Sequence, residues 1–445
     1  MKGMMAVVAV LAMLGASVAL AGLASAGQPR SLVPVVETGS TDRLGGGDWI
    51  SVRAGDARVG VVYGTVGHPN KLYVFAEYKR FLGGADIYDS RGNYLQTRGI
   101  PVYVVFGQSF DHLIEFQDTN NDSLFNLYRY GRNDTTAGDQ PVKATGLVRA
   151  WTATVPSVEP AGNTTYVNFT VGTPDLPYDL VWDGATSLPR RGTPADGALD
   201  RLNFTFHLKV DVREVSGEVP WFRVSVSDGT ARTISDVLYE GTRNYSGSAV
   251  AMGAKYDHLI EGWDFAAPTN LLALETRAFL GYFVPERVAQ FIHAAYRSEA
   301  TDNGTYRQRA NDTIAPDPRL LTRDYVYFND EWDRATDIVG RLVWRSDVTV
   351  DGRAETMLFQ VQGGELFRGG YDGTLFQGFA VIGAYIYPAG ARIEHDPGLD
   401  AVADLWNLPS ALNLTPFTVL AIQAIVAAIA MGAAILVRAK GRRAQ

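Results

Sequence analysis

Residues 202–212 read LNFTFHLKVDV, and this stretch decides the fold class. Leu202, Phe204, Phe206, Leu208, Val210 and Val212 occupy every second position, with Asn, Thr, His, Lys and Asp between them. A period of two puts the apolar set on one face of a strand and the polar set on the other. A strand with one apolar and one wet face suits an antiparallel sheet packed against a second sheet, so the stretch predicts a β-sandwich.

The same texture extends in both directions. VGVVYGTV, KLYVFAEY, IPVYVVFG, TTYVNFTVG, WFRVSVSDG and ETMLFQVQGG are rich in β-branched and aromatic residues and are separated by Gly, Asp, Asn and Pro. Two runs echo each other: FDHLIEFQD at 110–118 and YDHLIEGWD at 256–264. The first is followed by LVRAWTATV (147–155) and TTYVNFTVG (164–172), the second by LVWRSDVTV (342–350) and ETMLFQVQG (355–363). Matching blocks in the same order predict a tandem duplication. The expected architecture is mainly β, with two related sandwich domains at 45–198 and 199–404 after a linker at 27–44.

The spacing between copies grows from 146 residues at DHLIE (Asp111 to Asp257) to 195 at the LV block (Leu147 to Leu342). An insertion of about fifty residues in the second domain, at about 270–325, explains the growth. Within it PERVAQFIHAAYRSE (285–299) carries a helical stripe of Val288, Phe291, Ile292, Ala295 and Tyr296, with His293 packed beside it. DPGLDAVADLWN (396–407) is expected to form a second short helix, begun by Asp396 and Pro397.

Within DHLIE an acid, a histidine and an acid lie close in sequence, yet strand geometry separates them. His112 alternates away from Asp111 and Glu115, and those two acids stand ~13 Å apart at about 3.3 Å per residue. Such a distance exceeds the ~5–9.5 Å between paired glycosidase carboxylates. The motif therefore reads as scaffold, with each histidine half-buried among aromatics. DTNNDS (118–123) is the best metal candidate: Asp118, Asn120 and Asp122 have the alternating spacing of a calcium loop. Ser123 in place of a turn glycine, and Arg129 in place of a bidentate Glu, exclude an EF-hand. Near turns, Tyr245, Trp263, Trp332 and Tyr371 are candidates for a sugar- or partner-binding surface, with core packing the alternative for each.

The ends of the chain point to export and anchoring. Lys2, an apolar run from Met4 to Leu23 and Ala24-Ser25-Ala26 form the pattern of a signal peptide at 1–26. After a juxtamembrane segment at 405–415, residues 416–437 (PFTVLAIQAIVAAIAMGAAILV) carry no charge. As a helix they reach roughly 33 Å, enough to cross a ~30 Å hydrocarbon layer. Arg438, Lys440, Arg442 and Arg443 in the tail at 438–445 place the C-terminus inside and the bulk of the chain outside, a single-pass type I layout.

Nine of the 16 asparagines begin an N-x-S/T acceptor sequence: Asn121, Asn133, Asn163, Asn168, Asn203, Asn244, Asn303, Asn311 and Asn413. Ser and Thr make up about a ninth of the chain, so chance would supply roughly two. The chain has no cysteine, whereas a secreted eukaryotic ectodomain of this size ordinarily carries disulfides. Acceptor sites without cysteines beneath one C-terminal anchor resemble the layout of archaeal cell-surface glycoproteins. A formal charge of −8 offers no basic surface for nucleic acid. CxxC, HExxH, GxSxG and phosphate-loop signatures are absent. The expected role is a non-enzymatic, glycosylated cell-surface protein acting as envelope component, adhesin or ligand-binding module. Its expected partners are the membrane, N-linked glycans and other surface proteins or glycans, and calcium is its one candidate cofactor. The alternative is a membrane-anchored hydrolase whose site lies near the insertion in the second domain.

Overall fold

A computed structural model describes residues 32–41, 46–119, 121–125, 139–183, 189–227, 234–285, 325–329, 338–344, 346–371 and 374–405. The expected signal peptide, most of the insertion, the membrane helix and the tail lie outside these residues. The described chain is mainly β, and among its residues no helix is long and apolar enough to cross a membrane.

In chain order the strands begin with β1 (Val35–Thr41), β2 (Gly47–Ala54), β3 (Ala57–Tyr63), β4 (Tyr73–Tyr88), β5 (Tyr94–Asp118) and β6 (Asp139–Gly146). There follow β7 (Thr152–Ala153), β8 (Ser157–Ala161), β9 (Thr164–Pro177), β10 (Leu180–Trp182) and β11 (Pro189–Arg191). The long hairpin β12 (Ala198–Val226) and β13 (Ile234–Glu261) comes next, then β14 (Leu271–Pro285), β15 (Tyr325–Asn329) and β16 (Ile338–Val343). The last six are β17 (Asp347–Val350), β18 (Arg353–Thr356), β19 (Leu358–Tyr371), β20 (Thr374–Pro388), β21 (Arg392–His395) and β22 (Gly398–Leu405).

One layer runs β1-β2-β3-β4-β5-β14-β20-β19, antiparallel throughout. The facing layer is built on β9-β12-β13, with β21 and β22 along β13 and then β17 and β16 beyond them. A short parallel ladder, Trp221–Ser225 of β12 against Gly84–Tyr88 of β4, joins the layers along one side.

LNFTFHLKVDV sits in β12 as its alternation predicts. Leu202, Phe204, Phe206, Leu208 and Val210 are buried, while Asn203, Thr205, His207, Lys209 and Asp211 keep contact with solvent. The buried set meets Ile50, Val59, Val74 and Phe106 of the facing layer in one apolar core. Phe204 is central. Its ring lies 4.7 Å from that of Phe110, 6.0 Å from Trp151 and 6.4 Å from Tyr256.

Strands on both sides of residue 198 line this core. β9 pairs with β12 from Thr164↔Asp211 to Pro177↔Ala198, and β5 pairs with β14 from Tyr103↔Phe283 to Phe116↔Leu271. Both DHLIE segments are strands, in β5 and β13, as expected.

Two local expectations are corrected. Residues 398–405, expected to be helical, form β22, which pairs with both β13 and β16. Leu399, Ala401, Ala403 and Leu405 also satisfy a period of two, and the open ladder groups of β13 decide between the two readings. Likewise Leu271–Pro285, at the front of the expected helical insertion, is a strand enclosed between β5 and β20. Pro285 closes it where a helix was expected to start.

Replacing Phe204 with Ala removes the ring on which both layers meet. The expected loss is about 3–5 kcal/mol, from lost transfer energy plus the cavity left behind. Urea denaturation of wild type and variant measures it, and a loss below about 1 kcal/mol would refute the central placement of this ring.

Candidate functional site

The two copies of DHLIE present opposite faces. From Gly241 to Glu261 the β13 pleat is regular, so Tyr256, His258 and Ile260 are buried while Asp257, Leu259 and Glu261 stay partly exposed. In β5 an irregularity falls opposite Leu274 and Thr276, which pair with Leu113 and Phe110, so one strand carries an extra residue. Such a bulge reverses the facing of everything beyond it. Phe110 and Leu113 both enter the main core, Asp111 and Glu115 are buried, and His112 is exposed. The expectation of two half-buried histidines is therefore corrected in both copies.

Each buried acid of β5 has its own set of partners. Asp111 bonds Lys71 at 2.7 Å and faces Arg277 at 2.7 Å. Burial alone would raise its pKa, but these two cations outweigh burial and hold it below the usual carboxylate value. Glu115 accepts hydrogen bonds from Trp263 Nε1 (3.0 Å), the Ala266 amide (2.8 Å) and Asn270 Nδ2 (2.5 Å), with Lys143 Nζ 3.6 Å away. Trp263 is thus a core ring. The side chains of Tyr245, Trp332 and Tyr371 lie outside the described residues.

In β13 the histidine enters the core instead. His258 Nε2 lies 2.6 Å from the Tyr387 hydroxyl, which lies 3.0 Å from His395 Nδ1. Nearby, Gln108 Nε2 donates to Thr276 Oγ1 (2.6 Å) and to the Tyr385 hydroxyl (3.1 Å), and the Tyr256 hydroxyl donates to Gln108. This polar seam through the core joins β5, β13, β14, β20 and β21.

The acids displaced outward from β13 build the most chemically varied surface cluster. Asp257 meets His207 Nε2 at 3.0 Å and Lys255 Nζ at 3.0 Å, and Lys255 also reaches Asp396 at 3.3 Å. The other ring nitrogen of His207 lies 2.8 Å from Asn168 Oδ1. Lys255 thereby bridges Asp257 and Asp396. Burial raises the Asp396 pKa, and bonding to Asp257 adds to it. Burial acts the same way on Asp257, but bonds to Lys255, Asp396 and His207 overcome it and lower the value. Lys255 stands against both carboxyl groups, so the position holds a salt bridge and not an open carboxylate pair.

The calcium candidate gains a residue and leaves one undescribed. Asp118 and Asp122 do converge, and Asp139, the β6 partner of Asp118, joins them with carboxylate oxygens within 4.8 Å of one another. Asn120 lies outside the described residues. Asp118 also accepts the Ser123 amide at 2.7 Å, which folds the loop back on itself. Sequence spacing cannot reveal Asp139, because only strand pairing brings it across.

Five acceptor asparagines fall within the described residues. Asn121, Asn163 and Asn244 are exposed, while Asn168 and Asn203 lie half-buried on the outer face of the β9-β12-β13 layer. Asn168 Nδ2, the atom a glycan would take, donates to Glu159 at 3.2 Å. Asn133, Asn303, Asn311 and Asn413 lie outside the described residues.

No protein-family model matches the chain, and no curated protein is significantly similar to it.

The buried histidine sets a pH dependence. Burial holds the pKa of His258 well below the ordinary 6.5, and repulsion from His395 lowers it further. The unfolded chain takes up this proton near its ordinary pKa and the folded chain does not, so stability present above that pH drains away as the pH falls. Denaturation midpoints of wild type and His258→Phe, compared at about pH 7 and about pH 5, should show a smaller acid loss in the variant. Equal losses in the two proteins would remove His258 as a source.

Proposed function

We propose that this chain is a non-enzymatic, N-glycosylated cell-surface protein, held outside the membrane by one C-terminal helix at 416–437 and serving as an envelope or ligand-binding component. The observation that carries this reading is the placement of the acceptor asparagines: each of the five described ones reaches solvent, and none lies in the core. Turns and outward-facing strand positions are where a bulky polar glycan is accommodated without disturbing packing.

In the same proposal, the two DHLIE strands descend from a duplicated unit whose copies, first read as two tandem sandwiches, pair across one another around a common core. The mixed core and the recurrence of a buried Trp after each copy, Trp151 and Trp344, support it. A hydrolase has less support, since the neighbouring acids Asp257 and Asp396 are both held by Lys255, and Asp257 by His207 as well.

Peptide mapping of the chain purified from its native membrane tests the reading. Glycans are expected at Asn121, Asn163 and Asn244, with lower occupancy at Asn168, where Nδ2 is engaged by Glu159. Unmodified asparagines at all five positions would overturn it.

The loop at Asp118, Asn120 and Asp122, completed by Asp139, is the proposed calcium position. Millimolar calcium is expected to raise the melting temperature of wild type, and Asp139→Asn should shrink that rise. No shift in wild type would dismiss the site.

A further inference from the structure

We propose that Lys143 and Asn270 are joined by an intramolecular amide bond formed with the help of Glu115. The three side chains meet inside the protein: Glu115 is fully buried, Asn270 is 4% exposed and Lys143 is 7% exposed. They come from separate elements. Glu115 and Lys143 are direct cross-strand partners in β5 and β6, and Asn270 stands immediately before β14.

One carboxylate holds both reacting groups. Glu115 Oε1 accepts Asn270 Nδ2 at 2.5 Å, and Oε2 lies 3.6 Å from Lys143 Nζ. The remaining capacity of that carboxylate is taken by the Ala266 amide and Trp263 Nε1, which fix its orientation. Tyr178 and Trp263 wall the site, with Nζ 4.4 Å and 5.9 Å from their ring centres. The Lys143 ammonium also donates to the Asp264 carbonyl. Glu115 therefore gathers the lysine nitrogen and the amide on its two oxygens, and proximity of that kind replaces a bimolecular encounter.

The step balances without an oxidant. Nζ passes a proton to Glu115 and its lone pair attacks Cγ of Asn270, forming a carbon–nitrogen bond. The bond from Cγ to Nδ2 then breaks as Glu115 returns its proton to the departing nitrogen, and the ammonia so formed takes up the second proton shed by Nζ and leaves as ammonium. Glu115 ends as the carboxylate it began as. Lys71 and the buried Asp111 form another lysine–acid pair on β5, but Arg277 and Lys71 keep Asp111 ionised, and a carboxylate anion is a poor electrophile. Asn270 is a neutral amide and lacks that obstacle. The bond would tie β6 to the start of β14, across 127 residues of sequence (270 minus 143), in a chain that has no cysteine for a disulfide. Closing so long a loop restricts the unfolded chain in the way a disulfide does.

The experiment is peptide mass analysis of the full-length wild-type chain after denaturation and digestion. The expected result is one branched peptide containing Lys143 and Asn270, lighter than the two linear peptides together by one ammonia. Glu115→Gln, checked for folding by circular dichroism, should lose the branched peptide completely. Linear peptides with a free Lys143 amine and an intact Asn270 amide in wild type would overturn the proposal, leaving a non-covalent cluster that pins the 263–270 loop. Because that result is read on wild type, misfolding of the variant cannot obscure it. A branched peptide that persists in Glu115→Gln would overturn the role given to Glu115.

Discussion

The mutual packing of Phe204, Phe110 and Tyr256 is the contact on which the rest of the structure depends. Phe110 and Tyr256 are the aromatic residues that immediately precede the two DHLIE segments, so one contact brings β5, β12 and β13 together. Burying three aromatic side chains at one point removes a large apolar area from water. The long β12–β13 hairpin then has one face fixed, and its opposite face must be polar.

That division explains why the same pentapeptide behaves in two ways. Along the β13 copy the pleat runs unbroken, and the histidine is carried into the core, where its Nε2 meets the Tyr387 hydroxyl. In β5 the extra residue opposite Leu274 and Thr276 shifts the phase, and the acids are buried instead. Buried acids need partners, and the fold provides them from distant segments: Lys71 and Arg277 for Asp111, Lys143, Trp263 and Asn270 for Glu115. Each set ties strands from the first half of the chain to segments from the second, so removal of either acid would loosen more than its own strand.

Legibility from sequence varied with the range of the interaction. LNFTFHLKVDV revealed its strand and its buried face because both follow from alternation within eleven consecutive residues. The DHLIE strands were legible for the same reason, and the reading of Asp111 and Glu115 as structural follows from strand rise alone. DPGLDAVADLWN was misread, since its apolar spacing fits either period and the choice rests with an open strand edge 149 residues away in sequence (Ala401 to its partner Met252, by subtraction). Asp139, Asp396 and His207 went unnoticed because each gains its neighbours only through strand pairing.

The sequence by itself determined that the described chain is β, which face of β12 is buried, and where glycan acceptor sites fall, because these depend on side-chain period and local motif. Only the tertiary structure decided which strands share a core, which copy of DHLIE buries its acids, and which lysine and amide meet on Glu115. Those outcomes turn on a single bulge in β5 and on pairings between segments more than a hundred residues apart. A local pattern carries no record of either.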